Sequence, residues 1–133
     1  MRTHLCALLA LSIGLACCAQ EPIPLINSPV VPAASGEITT EEGDDDNLRL
    51  EIAVKHLAPP GKVEAGAAVY VVWMEIAGAP PQNVGSLRVD EDLTGRLDTI
   101  TPFHRFNLVI TAERDPAAVF PRGPRVLSGT VDR

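Results

Sequence analysis

Apolar and polar residues alternate in short runs from Leu48 to the end of the chain. In the first run Leu48, Leu50, Ile52 and Val54 are separated by mostly polar residues, a pattern typical of a strand with one buried face. A second run, Ala67–Ile76, is apolar on both faces apart from one Glu and is typical of a central strand. The remaining runs are Val84–Val89, Arg96–Ile100, Phe106–Glu113 and Arg125–Val131.

Pro and Gly turns separate these runs, and no amphipathic helix is evident between residues 47 and 133. Six or seven short strands over this length predict an all-β fold, an antiparallel immunoglobulin-like β-sandwich. The cysteine pair of true immunoglobulin domains is missing, so the prediction concerns architecture only. Tyr70 and Trp73 lie in the most apolar strand, and we expect Trp73 to fill the space between the sheets.

The first residues have the pattern of an export signal. Arg2 precedes the apolar stretch Leu5–Ala16, which is shorter than the roughly 20 residues of a membrane-spanning helix. The following Leu-Ala-Cys-Cys fits a bacterial lipoprotein box in which Cys18 is acylated, and Cys17 gives a poorer register. Ordinary secretion with cleavage after Ala19 is the alternative. We therefore predict a lipoprotein-type signal peptide over residues 1–18.

Residues 19–46 combine a proline-rich segment with an acidic run. Proline blocks both helix and strand ladders, and like charges repel, so this stretch predicts a disordered linker ahead of a β-sandwich domain at residues 47–133. A calcium-binding acidic loop or an interaction tail is the alternative. The consecutive Asp44, Asp45 and Asp46 lack the alternating spacing of a calcium loop.

Charge and cysteine content narrow the possible functions. The chain has a net charge of −6, and removal of the signal would leave ten basic residues against seventeen acidic ones. Such a surface repels nucleic acids and anionic membranes, so membrane attachment would come from a lipid at Cys17 or Cys18. All three cysteines lie at or before position 18, which excludes disulfides, thiolate metal sites and catalytic thiols from the body.

Asp90, Asp92 and Asp98 have the spacing of calcium ligands in an EF-hand loop, but the closing Glu is missing because Thr101 occupies its position. A hairpin turn, with Gly95 able to take positive φ, explains the same residues. These three Asp residues are therefore weak metal candidates, and no metal site or cofactor is predicted.

The sequence also offers few candidates for catalytic residues. His104 beside Arg105 could form a small anion-binding patch or simply begin a strand, and His56 precedes a proline turn. Ser128 lies outside any Gly-x-Ser-x-Gly nucleophile elbow. Because no nucleophile–base pair can be assembled, we predict no catalytic residues and no enzyme activity.

Several short motifs occur in an order that resembles the extracytoplasmic domain of anti-sigma-K-type factors. The matching segments are Tyr70–Met74, Val84–Leu87, Asp90–Gly95, Leu108–Glu113 and Pro121–Leu127. The resemblance implies an exported β-sandwich. That family also has a cytoplasmic sigma-binding segment and a transmembrane helix, which have no counterpart in this sequence, so the resemblance implies an orphan copy of the outer module.

Together these observations predict an exported, lipid-anchored protein of the bacterial envelope, periplasmic or in the outer membrane. We expect it to act without catalysis, by binding another envelope protein through a sheet edge or its turns. A secreted cation- or small-ligand-binding sensor and a structural envelope protein are the alternatives.

Overall fold

The computed structural model of the protein describes residues 20–133, so the predicted signal peptide and both candidate acylation sites, Cys17 and Cys18, lie outside the described residues. The strands are β1 (Ile23–Pro24), β2 (Ile26–Asn27), β3 (Ser35–Glu42), β4 (Leu48–Lys55), β5 (Val69–Glu75), β6 (Gln82–Leu87), β7 (Gly95–Thr101), β8 (Arg105–Glu113) and β9 (Arg125–Asp132). One α-helical turn, α1 (Pro60–Val63), and a 3-10 turn at Asp44–Asp46 complete the described part.

The strands form two antiparallel sheets that pack face to face as a β-sandwich, which confirms the predicted fold class. One sheet has the order β1-β3-β4-β7, and the other has the order β2-β9-β8-β5-β6. Six of the strands fall within residues 48–132, in agreement with the six or seven predicted there.

Alternation along the strands directs side chains into the core between the sheets. Every second residue of β4, from Leu48 to Val54, is buried, while its neighbours are exposed or half-buried. Tyr70, Val72 and Met74 of β5 face the same core from the other sheet. The Tyr70 hydroxyl donates a hydrogen bond of 2.5 Å to the Ala58 carbonyl, which satisfies its polar end.

Residues 20–46 belong to the sandwich, so the predicted disordered linker is wrong for this segment and the domain begins well before residue 47. All eight residues of β3 pair with β4, and Ile38 and Thr40 are buried. The prolines restrict β1 and β2 to two residues each at the sheet edges, where a missing N–H donor costs little. The acidic run is exposed at the end of β3 and in the β3–β4 connection, where solvent water weakens its repulsion.

The two ends of the described chain meet at one end of the sandwich. The Thr40 hydroxyl lies 2.6 Å from the Gln20 side-chain oxygen and 3.0 Å from Arg133 Nε. Arg133 also donates a hydrogen bond of 2.8 Å to the Glu21 carbonyl. The segment that follows Cys18 in the sequence is therefore fixed to the folded domain from Gln20 onward.

Trp73 is fully buried, as expected, but it does not lie between the sheets. It packs with Val69, Val71 and Val109 on the outer face of the five-stranded sheet, and Ala118 packs against them. Trp73 is three residues from Tyr70 on β5, so strand alternation directs the two side chains to opposite faces. The prediction failed because a loop, rather than the second sheet, covers that face.

Candidate functional site

The connection between β8 and β9, residues 114–124, forms a lid over the outer face of the five-stranded sheet. Two hydrogen bonds from the Asn83 side-chain amide hold it down, at 2.9 Å to the Pro116 carbonyl and 3.0 Å to the Ala118 carbonyl. The cluster around Trp73 lies beneath it. We call this connection the 114–124 loop.

A chain of buried hydrogen bonds joins this loop to the sheet. The indole N–H of Trp73 donates to the Thr111 hydroxyl at 2.8 Å, and that hydroxyl donates to Glu113 Oε1 at 2.6 Å. The same carboxylate oxygen accepts the backbone N–H groups of Arg122 at 2.9 Å and Gly123 at 3.1 Å. Glu113 therefore fixes the end of the loop to β8. The segments Leu108–Glu113 and Pro121–Leu127, which carried the family resemblance, thus have a structural role.

Gly123 is required by close packing at the same point. A Cβ atom built on Gly123 would overlap the carbonyl oxygen of Ala112. The Ala112 N–H in turn donates to the Pro124 carbonyl at 3.2 Å. The loop backbone therefore lies against β8, and only glycine leaves room for it.

A groove of about 570 Å³ lies between the 114–124 loop and the segment before β5. Its lining includes Glu113, whose side chain is buried with 5% of its surface exposed. Val119 and Phe120 form part of the wall and remain 73% and 57% exposed. Two adjacent, largely exposed apolar side chains thus border a groove that has a carboxylate in its lining.

The predicted turn at residues 90–95 is present, and its hydrogen bonds use both oxygens of Asp90. Oδ1 accepts the backbone N–H groups of Asp92 at 3.0 Å and Thr94 at 2.9 Å, and Oδ2 accepts the Thr94 hydroxyl at 2.7 Å. The hydrogen bond from the Thr94 backbone is the main cause that lowers the pKa of Asp90. Leu93, rather than Gly95, takes the positive φ, at +61°.

The weak metal candidates Asp90, Asp92 and Asp98 form no cation-binding group within residues 20–133. Asp98 lies exposed on β7, beside Arg96, which forms an ion pair with Glu51. The hairpin turn, which the sequence also predicted, accounts for Asp90.

A different group of possible ligands occurs at the end of the sandwich near Gln20. Ligand atoms of the exposed Glu42 and Asp46 and the half-buried His104 lie within 4.8 Å of one another. His104 Nε2 lies 2.9 Å from the main-chain oxygen of Asp46. In the tautomer that has its proton on Nε2, this nitrogen donates to Asp46, and Nδ1 has a lone pair that can bind a cation. Arg105, the other residue of the suggested anion-binding patch, forms an exposed ion pair with Asp132 at 3.0 Å.

The other residues considered for chemistry remain apart from the groove. His56 is exposed with φ of +54°, and Ser128 is half-buried on β9. The residues that sequence reasoning missed are Val119 and Phe120, together with the position of Glu113 beneath them. Two adjacent apolar residues inside a Pro- and Gly-rich connection were the available signal.

No protein-family model matches the chain, and a search of curated proteins gave no match. Among solved structures, the fold is similar to the crystal structure of the clock protein EA4, with a TM-score of 0.54 and 13% sequence identity. The similarity covers 84% of this chain and 92% of that one. At this identity it supports the β-sandwich fold alone. Within residues 20–133, no helix is long and apolar enough to cross a membrane.

Proposed function

We propose that this protein is an exported, lipid-anchored component of the bacterial envelope whose β-sandwich binds another envelope protein without catalysis. The observation that carries the proposal is the exposure of Val119 and Phe120 on a loop held to the sheet by hydrogen bonds. Exposed apolar side chains next to a groove, surrounded by polar residues, are typical of protein-binding surfaces.

The sheet edges favour the loop over strand pairing as the binding surface. Among the described residues the edge strands are β1 and β7 in one sheet and β2 and β6 in the other. β1 and β2 pair over only two residues each, which offers little to an incoming strand. The edge strand β7 has the outward charges Arg96 and Asp98, and the pairing of β6 shifts register opposite Val72 and Trp73. Charges and bulges of this kind oppose edge-to-edge pairing.

The position of Gln20 supports an anchor at the opposite end of the domain from the groove. Only Ala19 separates Cys18 from Gln20, so acylation of Cys18 would hold Gln20 within about 7 Å of the acylated residue. β8 begins beside Arg133 at that end and extends for nine residues, about 26 Å, before the loop begins. An anchored sandwich would therefore present the groove away from the membrane.

The N-terminal sequence supports export and acylation, and the resemblance to the outer domain of anti-sigma-K-type factors supports a module that works by contact. Mass spectrometry of the N-terminal peptide from native membranes tests the anchor: we expect a diacylated or triacylated Cys18. An unmodified N-terminus at Gln20 in the soluble fraction would contradict it.

Crosslinking in intact cells, followed by purification of the tagged protein, tests the interaction. We expect one enriched envelope protein that is lost with the double variant Val119→Ser and Phe120→Ser. Ile100→Ser is the matched control, since Ile100 is 61% exposed on the outer face of the other sheet. Equal recovery with both sets of variants would contradict binding through the loop.

Cation binding is the second candidate function, and the group formed by Glu42, Asp46 and His104 favours it. One imidazole and two carboxylates are suitable ligands for zinc. Zinc binding would stabilise the fold by mass action, so millimolar ZnCl₂ should raise the melting temperature and His104→Gln should remove the increase. An unchanged melting temperature with zinc and with calcium would exclude this function.

A further inference from the structure

We propose that the groove receives a basic side chain of the partner protein, for which the Glu113 carboxylate supplies the counter-charge. This inference rests on the proposed protein-binding function and adds the chemistry of the partner. Its basis is a buried carboxylate with one free oxygen next to exposed apolar side chains.

The two oxygens of Glu113 differ in their surroundings. Oε1 accepts three hydrogen bonds, from the Thr111 hydroxyl and the backbone N–H groups of Arg122 and Gly123. Oε2 has no hydrogen-bond partner within residues 20–133, and Glu113 belongs to the lining of the groove. Three donors on one oxygen fix the orientation of the carboxylate, so Oε2 is available to a ligand.

The charge of Glu113 is also unpaired in the described part of the chain. The ion pairs there are Arg96–Glu51, Arg105–Asp132 and Arg125–Glu75, and none includes Glu113. Glu113 is 5% exposed, so water reaches little of its carboxylate, and an incoming cation would compensate the charge. The free oxygen and the missing counter-charge therefore point to the same kind of ligand.

The other charged residues that line the groove do not supply the missing counter-charge for Glu113. Arg114 and Arg122 line the groove, but among residues 20–133 neither lies within 4.0 Å of a carboxylate oxygen. Arg114 is instead next to Gly66, where a Cβ would approach its guanidinium carbon to 3.1 Å. Glu64 and Asp115 add two carboxylates to the lining, so acidic groups outnumber basic ones in the groove.

The apolar wall suits the stem of a Lys or Arg side chain. Long basic side chains pack their methylene groups along apolar surface while the charged head reaches a polar partner. Ala118, Val119 and Phe120 provide such a surface beside Glu113. The Phe120 ring can also attract the cation through its face.

The test is an NMR titration of the full-length ¹⁵N-labelled protein in zwitterionic detergent micelles. The probe is Nα-acetylarginine amide, and the matched control is Nα-acetylcitrulline amide, which has the same stem and no charge. We expect the arginine probe to shift the amide resonances of Arg122 and Gly123, which donate to Glu113, while citrulline has no effect. Equal shifts from both compounds would overturn the proposal.

Two variants distinguish charge from shape. Glu113→Gln retains an oxygen that accepts the loop N–H groups but removes the charge, so we expect at least tenfold weaker binding of the arginine probe. Phe120→Ala leaves the carboxylate network intact and should weaken the same binding several-fold. Asp98→Asn, which removes an exposed carboxylate from β7 of the other sheet, is the control and should change the affinity less than twofold. Unchanged affinity in both Glu113→Gln and Phe120→Ala would overturn the proposal.

The two proposals fail separately. If the Val119→Ser and Phe120→Ser double variant loses the crosslinked partner while the arginine probe causes no shifts, the loop binds a protein but the basic side chain is wrong. If the partner is recovered equally from the double variant and the control, the proposed binding surface itself is wrong.

Discussion

The substitution Thr111→Val would remove the central hydroxyl of the Trp73–Thr111–Glu113 chain without changing side-chain shape. Thr111 is fully buried on β8, where it accepts from Trp73 at 2.8 Å and donates to Glu113 at 2.6 Å. Valine has nearly the same volume and suits a strand, so cavity and backbone effects are small. The change therefore isolates the two hydrogen bonds.

The expected loss is about 3 kcal/mol of unfolding free energy. Leaving the buried indole N–H of Trp73 without a partner costs about 1–3 kcal/mol, and a hydrogen bond to a charged carboxylate contributes about 1.5–3 kcal/mol. Burying a methyl group in place of a hydroxyl offsets this loss by stabilising the folded state by about 1 kcal/mol. Because a domain of this size has about 5–15 kcal/mol in total, the loss is a large fraction of its stability.

Urea denaturation measures this loss of stability. Unfolding can be monitored by the fluorescence of Trp73, the single tryptophan of the chain and a member of the hydrogen-bonded group. The midpoint should fall while the slope stays unchanged. Thr39→Val on β3 is the matched control: Thr39 is half-buried and its side chain has no hydrogen bond within residues 20–133. A loss below about 1 kcal/mol for Thr111→Val, equal to that of the control, would refute the reasoning.

Three further predictions concern single residues elsewhere in the domain. Burial raises the pKa of Tyr70 to about 12, so absorbance titration of this single tyrosine should show no ionisation near pH 10 while the protein is folded. The free energy of unfolding should fall as the pH rises above 10 towards 12, because the unfolded chain loses this proton first. Ionisation of Tyr70 near pH 10 in the folded protein would contradict its burial. Leu93→Asn should raise the unfolding free energy by about 0.5–1 kcal/mol in chemical denaturation, because asparagine tolerates the left-handed backbone at that position better; a loss would contradict the turn geometry. The turn hydrogen bonds lower the pKa of Asp90, so its contribution to the free energy of unfolding should be present above about pH 4 and disappear as the pH falls through the folded-state pKa. Denaturation of wild type and Asp90→Asn at several pH values measures this contribution. A difference in unfolding free energy that does not shrink in acid would disprove it.

Alternation predicted the strands that have strong apolar faces. The pattern Leu48, Leu50, Ile52 and Val54 gave β4 with its buried face. The two-sided apolar run before Ile76 gave the central strand β5, because both of its faces are covered. In these segments the local pattern and the tertiary environment agree, so local reasoning was sufficient.

A strand whose conformation depends on its partner is not predicted by its own residue pattern. β3 has one strongly apolar residue, Ile38, among polar and acidic ones, and its pairing along the whole of β4 determines its conformation. The loop over Trp73 and the contact of Glu113 with Arg122 and Gly123 also depend on residues distant in the chain. The groove could not be predicted because no periodicity encodes these contacts.

A photoreactive amino acid placed at position 120 in living cells tests the central claim most directly. Phe120 is exposed at the edge of the groove, so its replacement there leaves the core unchanged. Illumination should produce one discrete adduct with an envelope protein, and the same residue placed at position 100, on the opposite sheet, should produce none. Absence of an adduct at position 120, or the same adduct at both positions, would contradict binding through the 114–124 loop.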